Sequence, residues 1–168
     1  AFRTEVLAEF DTHGVFSRAY STPEHLGTHV DAPIHFEKGE KSLDQIPVES
    51  LFGPGIVIDI SERAGRDADT TLSLDDVTDF ERLHGRVPAG AIVFLRTGWD
   101  ERWDDAARYR NADESGSMRF PGYSPSAADF LARQRGVAAL GIDTLSVDPG
   151  TSREYGAHHA GNRLRLYF

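Results

Sequence analysis

At 168 residues, 39% hydrophobic and 27% charged, the chain has the length and composition of one folded domain with a buried core. Eighteen basic side chains against 27 acidic ones give a net charge of −9, which argues against a protein that holds a nucleic-acid backbone by charge. Cysteine is absent, so disulfides, thiolate metal sites and a cysteine nucleophile are excluded, and any metal must sit on histidine and carboxylate.

In chain order, Ala1-Phe-Arg-Thr-Glu5 has neither the apolar centre nor the cleavage pattern of a signal peptide. No apolar run reaches the roughly 18–20 residues a bilayer-spanning helix needs, so a cytoplasmic protein without membrane contact is expected. Residues 24–35 are punctuated by Gly27 and Pro33, follow Pro23, and contain the β-leaning Thr28-His-Val30, which opposes a helix there. Gly55-Ile-Val-Ile-Asp-Ile60 reads as a buried strand, and polar residues 62–71 read as a loop. Ser73 with Asp76 three residues on predicts a capped helix whose apolar side is Leu74, Val77, Phe80 and Leu83, stopping at Gly85. Ala91-Ile-Val-Phe-Leu95 predicts a second buried strand. Residues 97–123 form a long connection rich in charge, glycine and aromatics, of the kind that often carries function. Ser124-Pro125 opens a helix ending at Gly136, and Val137–Ile142 predicts a third strand before Asp143. Arg163-Leu-Arg-Leu-Tyr167 alternates polar and apolar residues, as either a short strand or a frayed tail would. Strands alternating with helices make the expected class α/β, in a single domain over residues 1–168.

The chemistry concentrates in Glu24-His-Leu-Gly-Thr-His-Val-Asp-Ala-Pro-Ile-His35, which holds three of the seven histidines. On an extended stretch His29 and Asp31 point to the same side, and a bend at Gly27 could bring His25 onto them. Two neutral imidazoles and a carboxylate suit Zn²⁺ or Mn²⁺, and such an ion lowers the pKa of a bound water toward about 7. The alternative is a set of separate histidines, each satisfied by its own hydrogen bonds. No Gly-x-Ser-x-Gly elbow and no phosphate-cradling glycine pattern opens a helix, so serine catalysis and nucleotide binding are set aside. Trp99 and Phe36 could wall an aromatic pocket, with core packing as the other reading. Thr28 and Asp143 could orient ligands or simply satisfy structural hydrogen bonds.

His25-Leu-Gly-Thr-His29-Val-Asp31-Ala-Pro33-Ile-His35-Phe36 resembles the signature of the metal-dependent cyclase family, which includes bacterial kynurenine formamidases and isatin hydrolases. Gly141-Ile-Asp-Thr-Leu-Ser-Val-Asp-Pro-Gly150 with Ala157-His158 is similar to a second block of that family, and Leu95-Arg-Thr-Gly-Trp99 lies between them. The resemblance implies a swivelling β/β/α fold assembled as a homodimer or homotetramer. It implies that His25, His29 and Asp31 hold one ion, that Asp31 bridges to a second ion shared with His158, and that His35 shuttles protons. The family's second site also uses a glutamate beyond His158, at a position past Phe168, and the family's final strands and part of its N-terminal segment have no match here, so the resemblance implies a chain incomplete at both ends that holds one or two ions. The expected activity is hydrolysis of an amide C–N bond in a small molecule, first as an arylformamidase acting on N-formylkynurenine. The alternatives are an isatin- or lactone-type ring hydrolase or cyclase, and a truncated, non-catalytic metal-binding relative.

Overall fold

The computed structural model describes residues 2–162, which fall into two compact units that meet in sequence between Asp31 and Ala32. The predicted 163–167 strand lies outside the described residues. In the first unit, β1 (Arg3–Ala8) and β2 (Ser17–Ser21) pair antiparallel, Arg3 opposite Ser21, with a bulge between Val6 and Ala8. A single helical turn, α1 (Phe10–His13), joins them and ends at Gly14. After β2 the chain runs irregularly through the histidine-rich segment, without the helix that its prolines and Gly27 oppose.

The second unit is built on three parallel strands, β3 (Gly55–Asp59), β5 (Ile92–Arg96) and β7 (Ala139–Ile142), in the order β3-β5-β7 with Ile56 opposite Val93 and Val93 opposite Leu140. Between β3 and β5 come α2 (Ser61–Arg66), the short β4 (Thr71–Leu72) and α3 (Leu74–His84). Between β5 and β7 come α4 (Ala106–Arg110), β6 (Gly122–Tyr123) and α5 (Pro125–Phe130), which widens into one further turn over Leu131–Arg135 before Gly136. Helix α6 (Gly156–Asn162) closes the described chain.

The predicted caps form. Ser73 Oγ accepts the Asp76 N–H at 3.1 Å while Asp76 Oδ2 accepts the Ser73 N–H at 2.8 Å, and Ser124 Oγ accepts the Ala127 N–H. The strands differ from the expectation of full burial. Ile58, Val93, Leu95 and Leu140 pack with Val77 of α3, Ala127 and Ala128 of α5 and Leu131 of the turn that follows it into one core. Val57 and Phe94, on the opposite side of the pleat, remain 54% and 45% exposed. The described helices of this unit cover one face, so alternate residues stay open.

Residues 62–71 are also corrected: they carry α2 and the start of β4. That helix has almost no apolar periodicity; only Ala64 is buried. Contacts distant in sequence hold it, because Arg63 forks onto the Asp76 carboxylate and donates to the Thr71 carbonyl. Likewise 97–123 is structured, with a 3-10 turn at Trp99–Arg102, then α4 and β6. Beside it β4 and β6 pair in parallel, Leu72 opposite Tyr123.

Candidate metal centre

His25, His29 and Asp31 converge. His25 Nδ1 lies 3.0 Å from His29 Nε2, and Asp31 Oδ1 lies 2.7 Å and 2.9 Å from those two nitrogens. Such separations suit neighbouring donors around an ion bound at roughly 2.0–2.2 Å. The bend predicted at Gly27 is present: its φ is +66°, in the left-handed region that glycine adopts freely. Nothing lies within 4 Å of where its Cβ would be, so glycine is needed there for conformation and not for room.

The same bend sets a proton. The Gly27 carbonyl accepts from His29 Nδ1 at 2.9 Å, which leaves the neutral ring with a lone pair on Nε2, the nitrogen in the cluster. A carboxylate oxygen beside that lone pair, with a second imidazole nitrogen 3.0 Å away, concentrates electron density that a cation or a proton must neutralise. Asp31 is the most shielded of the three, its side chain 13% exposed. The donor set, two imidazoles and a carboxylate, therefore fits a divalent ion such as zinc or manganese.

His35, Phe36 and His158 come together in the second unit. Pro33, buried at the first position of a 3-10 turn, places His35 on the surface. The Phe36 ring stacks on His158 at 4.3 Å between centroids and meets His35 edge-on at 4.7 Å; the two imidazoles are 6.2 Å apart. His158 is only 6% exposed, whereas its neighbour His159 is exposed. Asp31 belongs to the first unit and His158 to the second.

Sequence reasoning missed Asp148. This buried carboxylate accepts the Ala157 N–H at 2.8 Å, the His158 N–H at 3.1 Å and the His158 Nδ1–H at 2.5 Å. Burial alone would push its carboxyl up; the His158 ring and the two backbone donors outweigh that and hold it below the usual value. The available signal was an aspartate two residues after Ser146, inside a block already singled out by resemblance.

Trp99, weighed as a pocket wall, is a core residue. It is 1% exposed, its Nε1–H donates to the Tyr109 carbonyl, and the Arg102 guanidinium lies 3.6 Å over its ring. Asp143 serves the scaffold: it accepts from the Thr97 N–H and hydroxyl and from the Trp99 N–H, tying the end of β7 to the turn after β5. Thr28 is exposed.

A parallel sheet carrying helices, joined in sequence to a His-x₃-His-x-Asp cluster, defines an α/β protein with a candidate site for a divalent ion. The cyclase family model, described as "Putative cyclase", matches residues 3–149. The chain belongs to that family. It is 35% identical over 151 residues to the isatin hydrolase of Roseibium aggregatum, covering 86% of this chain and 56% of the relative. It is 31% identical over 136 residues to the kynurenine formamidase of Salinibacter ruber, covering 81% of this chain and 55% of the relative. The solved isatin hydrolase A from Labrenzia aggregata, bound to benzyl benzoate, superimposes with a TM-score of 0.91 at 33% identity, over 99% of this chain and 68% of that one. This bears out the α/β cyclase fold. The chain spans about half the length of the curated relatives it matches.

Proposed function

We propose that the protein hydrolyses an amide C–N bond next to an aromatic ring, with a divalent cation held by His25, His29 and Asp31. The observation that supports this reading is the triangle of donor atoms 2.7–3.0 Å apart, with the His29 tautomer set by the Gly27 carbonyl. A cation there, zinc or manganese, supplies Lewis acidity toward a carbonyl oxygen and makes a water acidic near neutral pH. In the net reaction the water oxygen bonds to the carbonyl carbon, the C–N bond breaks with its electron pair on nitrogen, and that nitrogen takes up a proton. His35 delivers the proton; an imidazole that titrates near neutrality suits this transfer. Phe36, half-buried beside His35, gives an aromatic substrate a ring to pack on.

The substrate placed first is a cyclic amide of the isatin kind, because the relative at 35% identity over 86% of this chain and the solved structure at a TM-score of 0.91 are both isatin hydrolases. The open-chain formamide N-formylkynurenine comes second, supported by the 31% identity to a kynurenine formamidase. The test is metal analysis of the purified chain followed by turnover assays on both compounds. Bound zinc or manganese with ring opening of isatin is the expected result. Formamide hydrolysis alone would reverse the order of substrates. Bound metal without turnover of either would leave a metal-binding protein and overturn the catalytic reading.

A further inference from the structure

We infer that Asp148 is the positioning residue of His158: its carboxylate captures the ring Nδ1–H together with the two backbone N–H groups at the start of α6. The ring is thereby held as the Nδ1–H tautomer, with the lone pair on Nε2. A carboxylate only accepts hydrogen bonds, so a ring nitrogen 2.5 Å from Asp148 Oδ2 must carry the proton. The other contacts, Ala157 N–H to Oδ1 at 2.8 Å and His158 N–H to Oδ2 at 3.1 Å, fix backbone and side chain of the same residue to one anchor.

The anchor itself is held from behind. Tyr123 N–H donates to the Val147 carbonyl at 2.7 Å, Gly150 N–H donates to the Phe120 carbonyl at 2.9 Å, and Ser146 Oγ accepts the Asp148 N–H at 3.2 Å. Gly122 allows this approach, since a Cβ there would sit 2.3 Å from Pro149 N and 2.6 Å from the Asp148 carbonyl carbon. Phe36 stacked on the imidazole limits its rotation from the other side. A carboxylate that orients a histidine and raises its basicity is a recurrent support for imidazoles that bind cations or accept protons. What Nε2 serves rests on the proposed hydrolase reading; the tautomer and its cause do not.

The experiment is two-bond ¹H–¹⁵N correlation NMR on the full 168-residue chain, labelled with ¹⁵N-histidine and treated with a chelator, at a pH where His158 is neutral. The expected pattern is a protonated Nδ1 and an unprotonated Nε2 at His158, with exposed His159 as an internal comparison. In Asp148→Leu, of similar size but with no acceptor, the ring Nδ1–H loses its partner and the pattern should shift to Nε2–H. Ser73→Ala, destabilising but remote, should leave the tautomer unchanged and so separates positioning from mere loss of stability. An Nε2–H ring in the unaltered protein overturns the inference, as does an Asp148→Leu protein that folds and keeps Nδ1–H. If Asp148→Leu does not fold, the unaltered protein alone decides. Failure of the isatin and formamide assays would leave either NMR outcome standing.

Discussion

At Gly27 one backbone angle carries a chemical consequence. An L-residue at its φ of +66° costs roughly 1–2 kcal/mol, and relaxing that strain would pull the carbonyl away from His29 Nδ1. Gly27→Ala should therefore weaken the proposed cation binding, tested with zinc, about tenfold, read by titration against a competing chelator. Gly27→Asn, which tolerates the left-handed region better, should recover most of that loss. His35 separates in the opposite way. Because it carries a proton and not the ion in the proposed reaction, His35→Ala should lower turnover by about 10²–10⁴-fold with metal content unchanged. Loss of the metal as well would make His35 a ligand. The three-residue cluster was legible in the sequence, through the spacing of His25, His29 and Asp31 and the bend that glycine permits. Asp148 was not, since a single aspartate gives no periodicity and its partners lie nine and ten residues away.

The helix α3 shows how local chemistry specifies an element. Its capping box joins Ser73 and Asp76, and the Asp76 carboxylate also receives both arms of the Arg63 guanidinium. Ser73→Ala should cost about 1 kcal/mol, a fall of roughly 2–4 °C in Tm for a chain of this size. The Arg63 guanidinium is the main reason the Asp76 carboxyl is held down to about 2; burial opposes it, and Ser73 adds to it. A group whose pKa is lowered on folding contributes stability above its unfolded value, and that stability is lost as pH falls through the folded value. The window for Asp76 therefore runs from about pH 4 to about pH 2. Asp76→Asn should flatten the acid limb of the stability profile there by about 1 kcal/mol after solvent screening, measured by urea unfolding at each pH. Helix α2 has no comparable local signal. Its sequence lacks an apolar stripe, and the same Arg63–Asp76 pair holds it only once α3 has formed.

At the scale of the whole molecule, the core lies on one side of β3-β5-β7. Leu140, on the edge strand β7, is 1% exposed and belongs to the same core as residues of α3 and α5. Leu140→Ala should destabilise by about 2–5 kcal/mol, read as a lower urea midpoint with an unchanged slope. Turns, caps and apolar runs were sufficient to predict three strands and two helices in order, and hence the α/β class. They could not say that Val57 and Phe94 stay open, because a run of apolar residues looks the same whether one face of its strand is covered or both. Nor could they say that Trp99 is buried in the core, since an aromatic in a polar stretch has no periodic partners to reveal its side.

By itself the sequence determined the identity and spacing of the donor atoms, the positions of caps and stops, and the absence of any thiolate chemistry, because these depend on residue type and near neighbours. Only the tertiary structure decided which face of the sheet is packed, which polar loops fold into helices, and which carboxylate grips His158. Those outcomes depend on groups far apart in the chain, and a linear pattern carries no record of them until the chain has closed upon itself.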